Sequence, residues 1–291
     1  MADFIQLSIN GLALGSVYAL AAIGFVIVYS ATGVVNFASG QFVMLGTFAG
    51  VAMLINGGLP WPVGYVGALA AMALFGALFF LVVYLPLRSS PVVTIIIGTV
   101  AVGIALQNAA QLTFGSWPFR LQSPFEGMTI EIAGAVITVH AVAVVVGTGI
   151  LIGLLWLLLH RTTIGIGMRA VAQDVKAARL MGLRVNGLLA FSWVLAALLA
   201  GIAGLMLGPM WFADVNMGDP IALKAFAATI IGGFGSLPGA IAGGLFVGLT
   251  EVLGASYLSS AYKDLIAFGA MIAFLLVRPQ GIFGERIQDR G

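Results

Sequence analysis

Few residues in this chain could do chemistry, and their placement points away from covalent catalysis. With no cysteine, thiolate nucleophiles, thiolate metal sites and disulfides are excluded, and His140 and His160 are the two imidazoles. No HExxH, Walker lysine loop or recognisable Ser-His-Asp signature is present, and no cluster of carboxylates sits inside an apolar run. The stretch Gly232-Gly233-Phe234-Gly235-Ser236 has the glycines of a phosphate cradle but lacks the lysine, which leaves a packing or hinge role. Glu251 is the acid that lies well inside an apolar run. It falls near the outer end of its span, where solvation is cheap, and is expected to be structural. His140, near the start of a span, suits an interfacial donor. Apart from Glu251 the sequence predicts almost no buried charge.

Charge collects instead in one place. Arg161, Arg169, Lys176, Arg179 and Arg184 are five of the twelve basic residues, whereas the first 87 residues carry one charge, Asp3. From Gly167 to Gly182 the pattern predicts a short helix of about three turns. Met168, Val171, Val175 and Ala178 lie on one face, Arg169, Gln173 and Lys176 on another, and Gly182 closes it. Its apolar face is small and lacks aromatics, so it is a poor lipid anchor. Docking to a cytoplasmic partner fits better.

The elements around this island must be membrane helices. At 61% hydrophobic and 8% charged residues, the chain cannot cover a water-facing surface. Its net charge of +2 follows the usual bias of cytoplasmic loops and does not indicate nucleic acid. At about 20 apolar residues per span there is room for about eight to ten crossings. Hydropathy places spans near 8–29, 37–55, 62–85, 92–114, 133–159, 187–207, 240–257 and 262–277, the first read as a retained span. The fold class is therefore an all-α, polytopic transmembrane helical bundle of about eight to nine membrane segments, one of them broken or re-entrant. It forms a single domain, 1–291, with a cytoplasmic loop at about 160–186.

The irregular segment follows from parity. Placing Arg88, the island and the tail of Arg278, Arg286 and Arg290 in the cytoplasm puts the amino terminus outside. Eight full spans would then leave the tail outside too. Residues 221–238, with too short an apolar piece and a glycine run, are expected to form a broken crossing beside a pathway. Glycine pairs Gly11/Gly15, Gly149/Gly153, Gly204/Gly208 and Gly244/Gly248 suit close helix packing. A faint echo, Asn10-Gly11-Leu12 with Ser16 and Ala21 against Asn186-Gly187-Leu188 with Ser192 and Ala197, suggests an inverted repeat.

Arg169-Ala170-Val171-Ala172-Gln173-Asp174 followed by Ala177-Ala178-Arg179-Leu180-Met181-Gly182 resembles the ATPase-docking loop of bacterial ABC importer permeases. Residues 15–42, 227–244 and the stretch Arg278-Pro279-Gln280-Gly281-Ile282-Phe283-Gly284 agree in order. Together they are similar to the permease family of high-affinity branched-chain amino acid importers, the H-type subunit. The resemblance implies an inner-membrane permease subunit for leucine, isoleucine, valine or a related small polar solute. It implies pairing with a second related permease, two cytoplasmic ATPase subunits that hold ATP and Mg, and a periplasmic solute-binding protein, with no cofactor or metal bound by this chain itself. Carried onto this sequence, Arg169, Ala172, Gln173, Asp174, Ala178, Arg179 and Gly182 become the coupling residues. Candidates for lining the pathway are Asn36, Ser39, Gln41, Gln107, Asn108, Gln111 and the backbone of Gly232, Gly233 and Gly235. The resemblance also implies His or a similar residue where Ser39 stands. A self-sufficient secondary carrier or channel for a neutral solute remains the alternative.

Overall fold

The computed structural model describes residues 2–132 and 134–284. Ala133, Arg286 and Arg290, used above to place a span and the basic tail, lie outside them. The chain is helical apart from one hairpin. It begins with α1 (Ala2–Thr32) and α2 (Ser39–Gly50), which runs on through a π-helical turn at Val51–Asn56. Helix α3 (Trp61–Phe79) passes through a second π turn, Phe80–Tyr84, into the one-turn α4 (Leu85–Leu87), and α5 (Val92–Phe114) follows. After the hairpin come α6 (Val139–Arg161), α7 (Thr163–Gln173), α8 (Val175–Leu180) and α9 (Val185–Leu207). The chain then builds α10 (Gly218–Gly232), α11 (Leu237–Tyr257) and α12 (Lys263–Val277). Among the described residues eight helices are long and apolar enough to cross a membrane.

Two expectations change here. The span placed at 133–159 begins later, at Val139. The residues before it form an antiparallel pair, β1 (Thr129–Ile132) and β2 (Ala135–Thr138), turned at Gly134 with φ 80°. Their alternation buries Ala135 and Ile137 while Val136 and Thr138 point out, so a two-residue period beats the apolar content that suggests helix. The segment around 221–233 is not irregular either. It belongs to the regular 15-residue α10, and the non-helical stretch lies before it, at 208–217.

That stretch resolves the parity. Ala38 faces Gly103, midway along the 23-residue α5, so α2 starts near half height rather than at a membrane surface. The backbone of Gly40 touches that of Gly218, so α10 starts at the same level, running the other way. Residues 208–217 and α10 together make one composite crossing beside the eight long helices. The termini of the described chain therefore lie at opposite ends. Ala2 sits by Gly134 at the hairpin end, and Gly284 packs on Gly233 at the end carrying the basic island.

Lipid tails are as apolar as leucine, so no hydrophobic drive joins membrane helices and close van der Waals contact must do so. The centre is an antiparallel seam of α1 on α11. The pairs Gly11/Gly15 and Gly244/Gly248 face each other across it: a Cβ on Gly15 would stand 2.8 Å from the Cα of Leu245, and Gly248 lies against the backbone of Gly15. Gly204 and Gly208 admit Thr47 and Leu121 in the same way, whereas Gly149 and Gly153 face open space. Phe79 stacks on Trp193 at 5.1 Å between ring centres and Phe42 meets Phe79 edge-on, tying α2, α3 and α9 together.

A buried ion pair completes the core, contrary to the expectation of a nearly neutral bundle. Lys224 Nζ lies 2.5 Å from Glu251 Oε1 and 2.9 Å from Asp264 Oδ1, and Tyr18 Oη donates to Glu251 Oε2 at 2.8 Å. The Lys224 and Glu251 side chains are 1% and 4% exposed, so both charges have left solvent and depend on each other. This network links α1, α10, α11 and α12. Glu251 is structural, as expected, but through a buried pairing rather than interfacial solvation.

Two tests follow from this packing. Gly15→Leu forces the seam apart and costs about 1–3 kcal/mol, lowering the thermal midpoint in detergent by several degrees, while Gly149→Leu leaves it unchanged. Lys224→Met strands the Glu251 charge and destabilises by about 3–5 kcal/mol. The double change Lys224→Met with Glu251→Leu recovers most of that loss in the same melt.

Candidate functional site

The basic island is built by two caps and a break. Thr162, in extended backbone, accepts from the Gly165 N–H at 3.1 Å and turns the chain out of α6 into α7. The single helix expected over 167–182 is divided at Asp174, whose φ of −157° and ψ of 110° end α7. The same carboxylate starts α8 by accepting from the N–H of Lys176 at 2.7 Å and of Ala177 at 3.0 Å. Asp174 competes with helical backbone for those donors, which is why an otherwise continuous pattern bends here. The Ala177 and then the Lys176 N–H, with the Lys176 charge, hold its carboxyl below the ordinary range. Gly182 ends the unit with φ 82°, a left-handed conformation that suits glycine, while Leu183 N–H donates to Ala178 O.

Burial sorts the coupling candidates. Met168, Val171 and Ala178 pack inward, so Ala178 supports the surface rather than belonging to it, and Val175, expected on that inner face, is exposed. Arg169, Ala172, Gln173, Asp174, Arg179 and Gly182 are exposed. The sequence reading missed Leu180 and Met181, which protrude at 88% and 83% exposure among these cations. Two large apolar side chains are thus held out at the surface beside charges. Arg88 Nη1 donates to Asn186 Oδ1 at 2.7 Å, bringing a further cation beside Arg179 and Arg184.

The pathway candidates divide into three groups. Asn36 and Ser39 serve the chain reversal before α2: Asn36 Oδ1 accepts from the Ala38 N–H at 3.1 Å, and Ser39 Oγ donates to Asn36 O at 2.6 Å. Gln41 and Gln107 meet residues of the non-helical stretch and α10 at half height. The buried Gln41 donates from Nε2 to Asp219 Oδ1 at 2.7 Å, and Gln107 Nε2 to Asn216 Oδ1 at 3.0 Å. Asn108 and Gln111 lie on the exposed face of α5 above them, bonded to Ile104 O and Ser116 Oγ.

Gly232, Gly233 and Gly235 are elsewhere. They form the corner between α10 and α11 at the island end, with φ of 104° at Gly233 and 88° at Gly235. Gly232 packs on Gly239, and the last described residues lock over the corner as Ile282 N–H donates to Ile231 O and Phe283 N–H to Gly232 O, both at 2.8 Å. The glycine run and the Arg278–Gly284 motif, separate in sequence, thus form one joint, and it does not line a half-height cavity. Gly235, one of the candidates, lines a cleft at this end together with Ser236, Arg169 and Gln173 of α7, Ser30 of α1 and Trp156 of α6.

Lys224, paired with Glu251 and Asp264, and Asp219, bonded to Gln41, are the charged residues of α10 that sequence reasoning did not single out. Each sits in or beside an apolar run of α10, the one signal that could have found them. His140 bridges Ser123 Oγ at 2.8 Å and Met206 O at 2.9 Å, the interfacial role expected of it. Among the described residues no three His, Asp or Glu side chains gather as metal donors.

Comparison with known proteins accords with this arrangement. Residues 7–275 match the family described as "Branched-chain amino acid transport system / permease component". The chain is 36% identical over 297 residues to the high-affinity branched-chain amino acid transport system permease protein LivH of Escherichia coli K12, covering 97% of this chain and 96% of that protein. It is 36% identical over 296 residues to the permease protein BraD of Pseudomonas aeruginosa, with the same coverage, and 32% identical to a probable LivH of Methanocaldococcus jannaschii over 91% of this chain and 88% of that one. The fold is shared with a solved structure, PsaBC from Streptococcus pneumoniae in complex with Fab, at a TM-score of 0.52 and 14% identity, covering 96% of this chain and 94% of that one. The chain belongs to the family of branched-chain amino acid transport permeases, the membrane components of ABC importers whose ATP is hydrolysed by a separate subunit.

Proposed function

We propose that this chain pairs with a second related permease in the bacterial inner membrane, and that the pair forms the route by which leucine, isoleucine or valine enters the cell. Two cytoplasmic ATPase subunits, which hold ATP and Mg, dock on the α7–α8 unit, and a periplasmic binding protein delivers solute at the opposite end. The amino terminus is then periplasmic and the Gly284 end cytoplasmic, in keeping with the bias of Lys and Arg to the inner side. The observation that carries this reading is the island itself: exposed Leu180 and Met181, flanked by Arg169 and Arg179, on two short helices fixed by the Asp174 cap.

The route runs along the exposed face of α5. Asn108 and Gln111 there, with Gln107, Gln41, Asn216 and Asp219 beside them, would be costly against hydrocarbon and are at home beside water between two permeases. Asn36 and Ser39 hold the backbone reversal behind this face. Closing of the ATPases would move α7 and α8, and through them the ends of α1 and α9 on which α7 packs.

Reconstitution separates this from a self-sufficient carrier. The chain alone in liposomes is expected to pass no leucine, whereas the assembled transporter with binding protein and ATP does; flux from the chain alone sinks the importer reading. Asp174→Lys and Gly182→Arg should each abolish ATP hydrolysis stimulated by loaded binding protein while membrane insertion stays normal, and unchanged stimulation in both marks an inert loop. Because the Asp174 carboxyl titrates below the ordinary range, its cap is complete at neutral pH and disappears only as pH falls through that lowered value. Stimulated hydrolysis should thus hold from pH 7 down to about pH 5 as far as this cap governs it, and a wild-type loss inside that window that Asp174→Asn, which caps without titrating, abolishes would contradict the assignment.

A further inference from the structure

The half-height polar cluster carries a carboxylate that no Lys or Arg balances among the described residues. Asp219 lies in the first turn of α10, at the level where Gly218 meets Gly40, and it is exposed. One carboxylate oxygen, Oδ1, is held by Gln41 Nε2 at 2.7 Å; among the described residues no Lys or Arg pairs with it. Lys224, on the same helix, is committed to Glu251 and Asp264. A carboxylate at the bilayer midplane that faced lipid would be strongly disfavoured, so the exposed side of Asp219 must open to water or to a passing solute.

We infer that Asp219 is the acceptor for the ammonium group of a zwitterionic aliphatic amino acid in transit. The inference rests on the importer reading above and adds to it the residue that selects the amino group. Gln41 is a positioning residue. It is 4% exposed, and its amide holds one carboxylate oxygen of the exposed Asp219. Asn216, exposed and three residues before Asp219, accepts from Gln107 Nε2 at 3.0 Å and donates its own N–H to the Asp214 carboxylate at 2.7 Å, a polar rim beside the acid. A protonated primary amine gains a charge-assisted hydrogen bond here without a buried counter-ion to displace. That contact is strong enough to favour ammonium-bearing solutes yet single, so the solute can leave again.

A purely local role, in which the acid only favours the start of α10, would show in stability and not in selective transport. The two separate in the complete transporter in proteoliposomes, with saturating binding protein and ATP, read as leucine moved per ATP hydrolysed. Asp219→Asn should lower that ratio about tenfold or more, the loss expected for a charge-assisted bond, and Asp219→Glu should restore most of it. A ratio within twofold of wild type in Asp219→Asn, or an equal loss in the Asn and Glu variants, overturns the inference. If Asp219→Asn fails to assemble, Asn216→Lys supplies the decision: an ammonium placed on the rim should occupy the carboxylate and lower the ratio by a similar factor, and an unchanged ratio overturns the inference. Failure of the importer reading would show separately, as absence of ATP-dependent leucine uptake by the wild-type assembly.

Discussion

No hydrophobic drive joins helices in lipid, and the backbone-to-backbone approach of α1 to α11 is the close contact on which the rest of the packing depends. With glycine on both sides of the seam, the two helices touch backbone to backbone. α10 then lies against both, where Lys224 can reach Glu251 on α11 and Asp264 on α12. A larger residue in the seam would push α10 away from the centre. Its start, and the residues presented there, would lose their level.

That level matters because two helices begin there. α2 follows a reversal after α1, and α10 follows the non-helical stretch after α9, so each long helix is succeeded by one that starts at half height. The sequence echo is the trace of this plan. Ser16 Oγ donates to Leu12 O in α1, as Ser192 Oγ donates to Leu188 O in α9, and the two helices run in opposite directions. Inverted repeats of this kind place interrupted helices near a midplane site, and here the interruptions gather Gln41, Asn216 and Asp219 from distant parts of the chain.

The docking surface and the half-height cluster are joined by rigid elements. α7 packs on α1 and α9, and both helices continue to the level at which α2 and α10 start. Asp174 makes the island end of this linkage a pair of short helices rather than one rod, which sets Leu180 and Met181 outward. The corner of Gly232 to Gly235, closed by Ile282 and Phe283, braces the same end. Packed helices thus connect the island to the level of the cluster.

The membrane nature of the chain, the positions of most spans, the irregular crossing required by parity and the exposed basic island were legible in sequence, because hydropathy, charge bias and helical period act over local windows. The span 92–114 was placed to the residue. The break at Asp174, the hairpin before α6 and the site of the broken crossing were not, since each depends on which hydrogen-bond donor wins in three dimensions. The glycine run forms a corner, in keeping with a packing or hinge role, but its partner lies some fifty residues further on in a motif that sequence alone leaves unpaired. Lys224 and Asp219 stayed hidden for the same reason. Composition determines how many charges the chain can bring into a bilayer, but only tertiary structure decides which of them meet an opposite charge and which is left open, because pairing depends on distance between helices and not on distance along the chain.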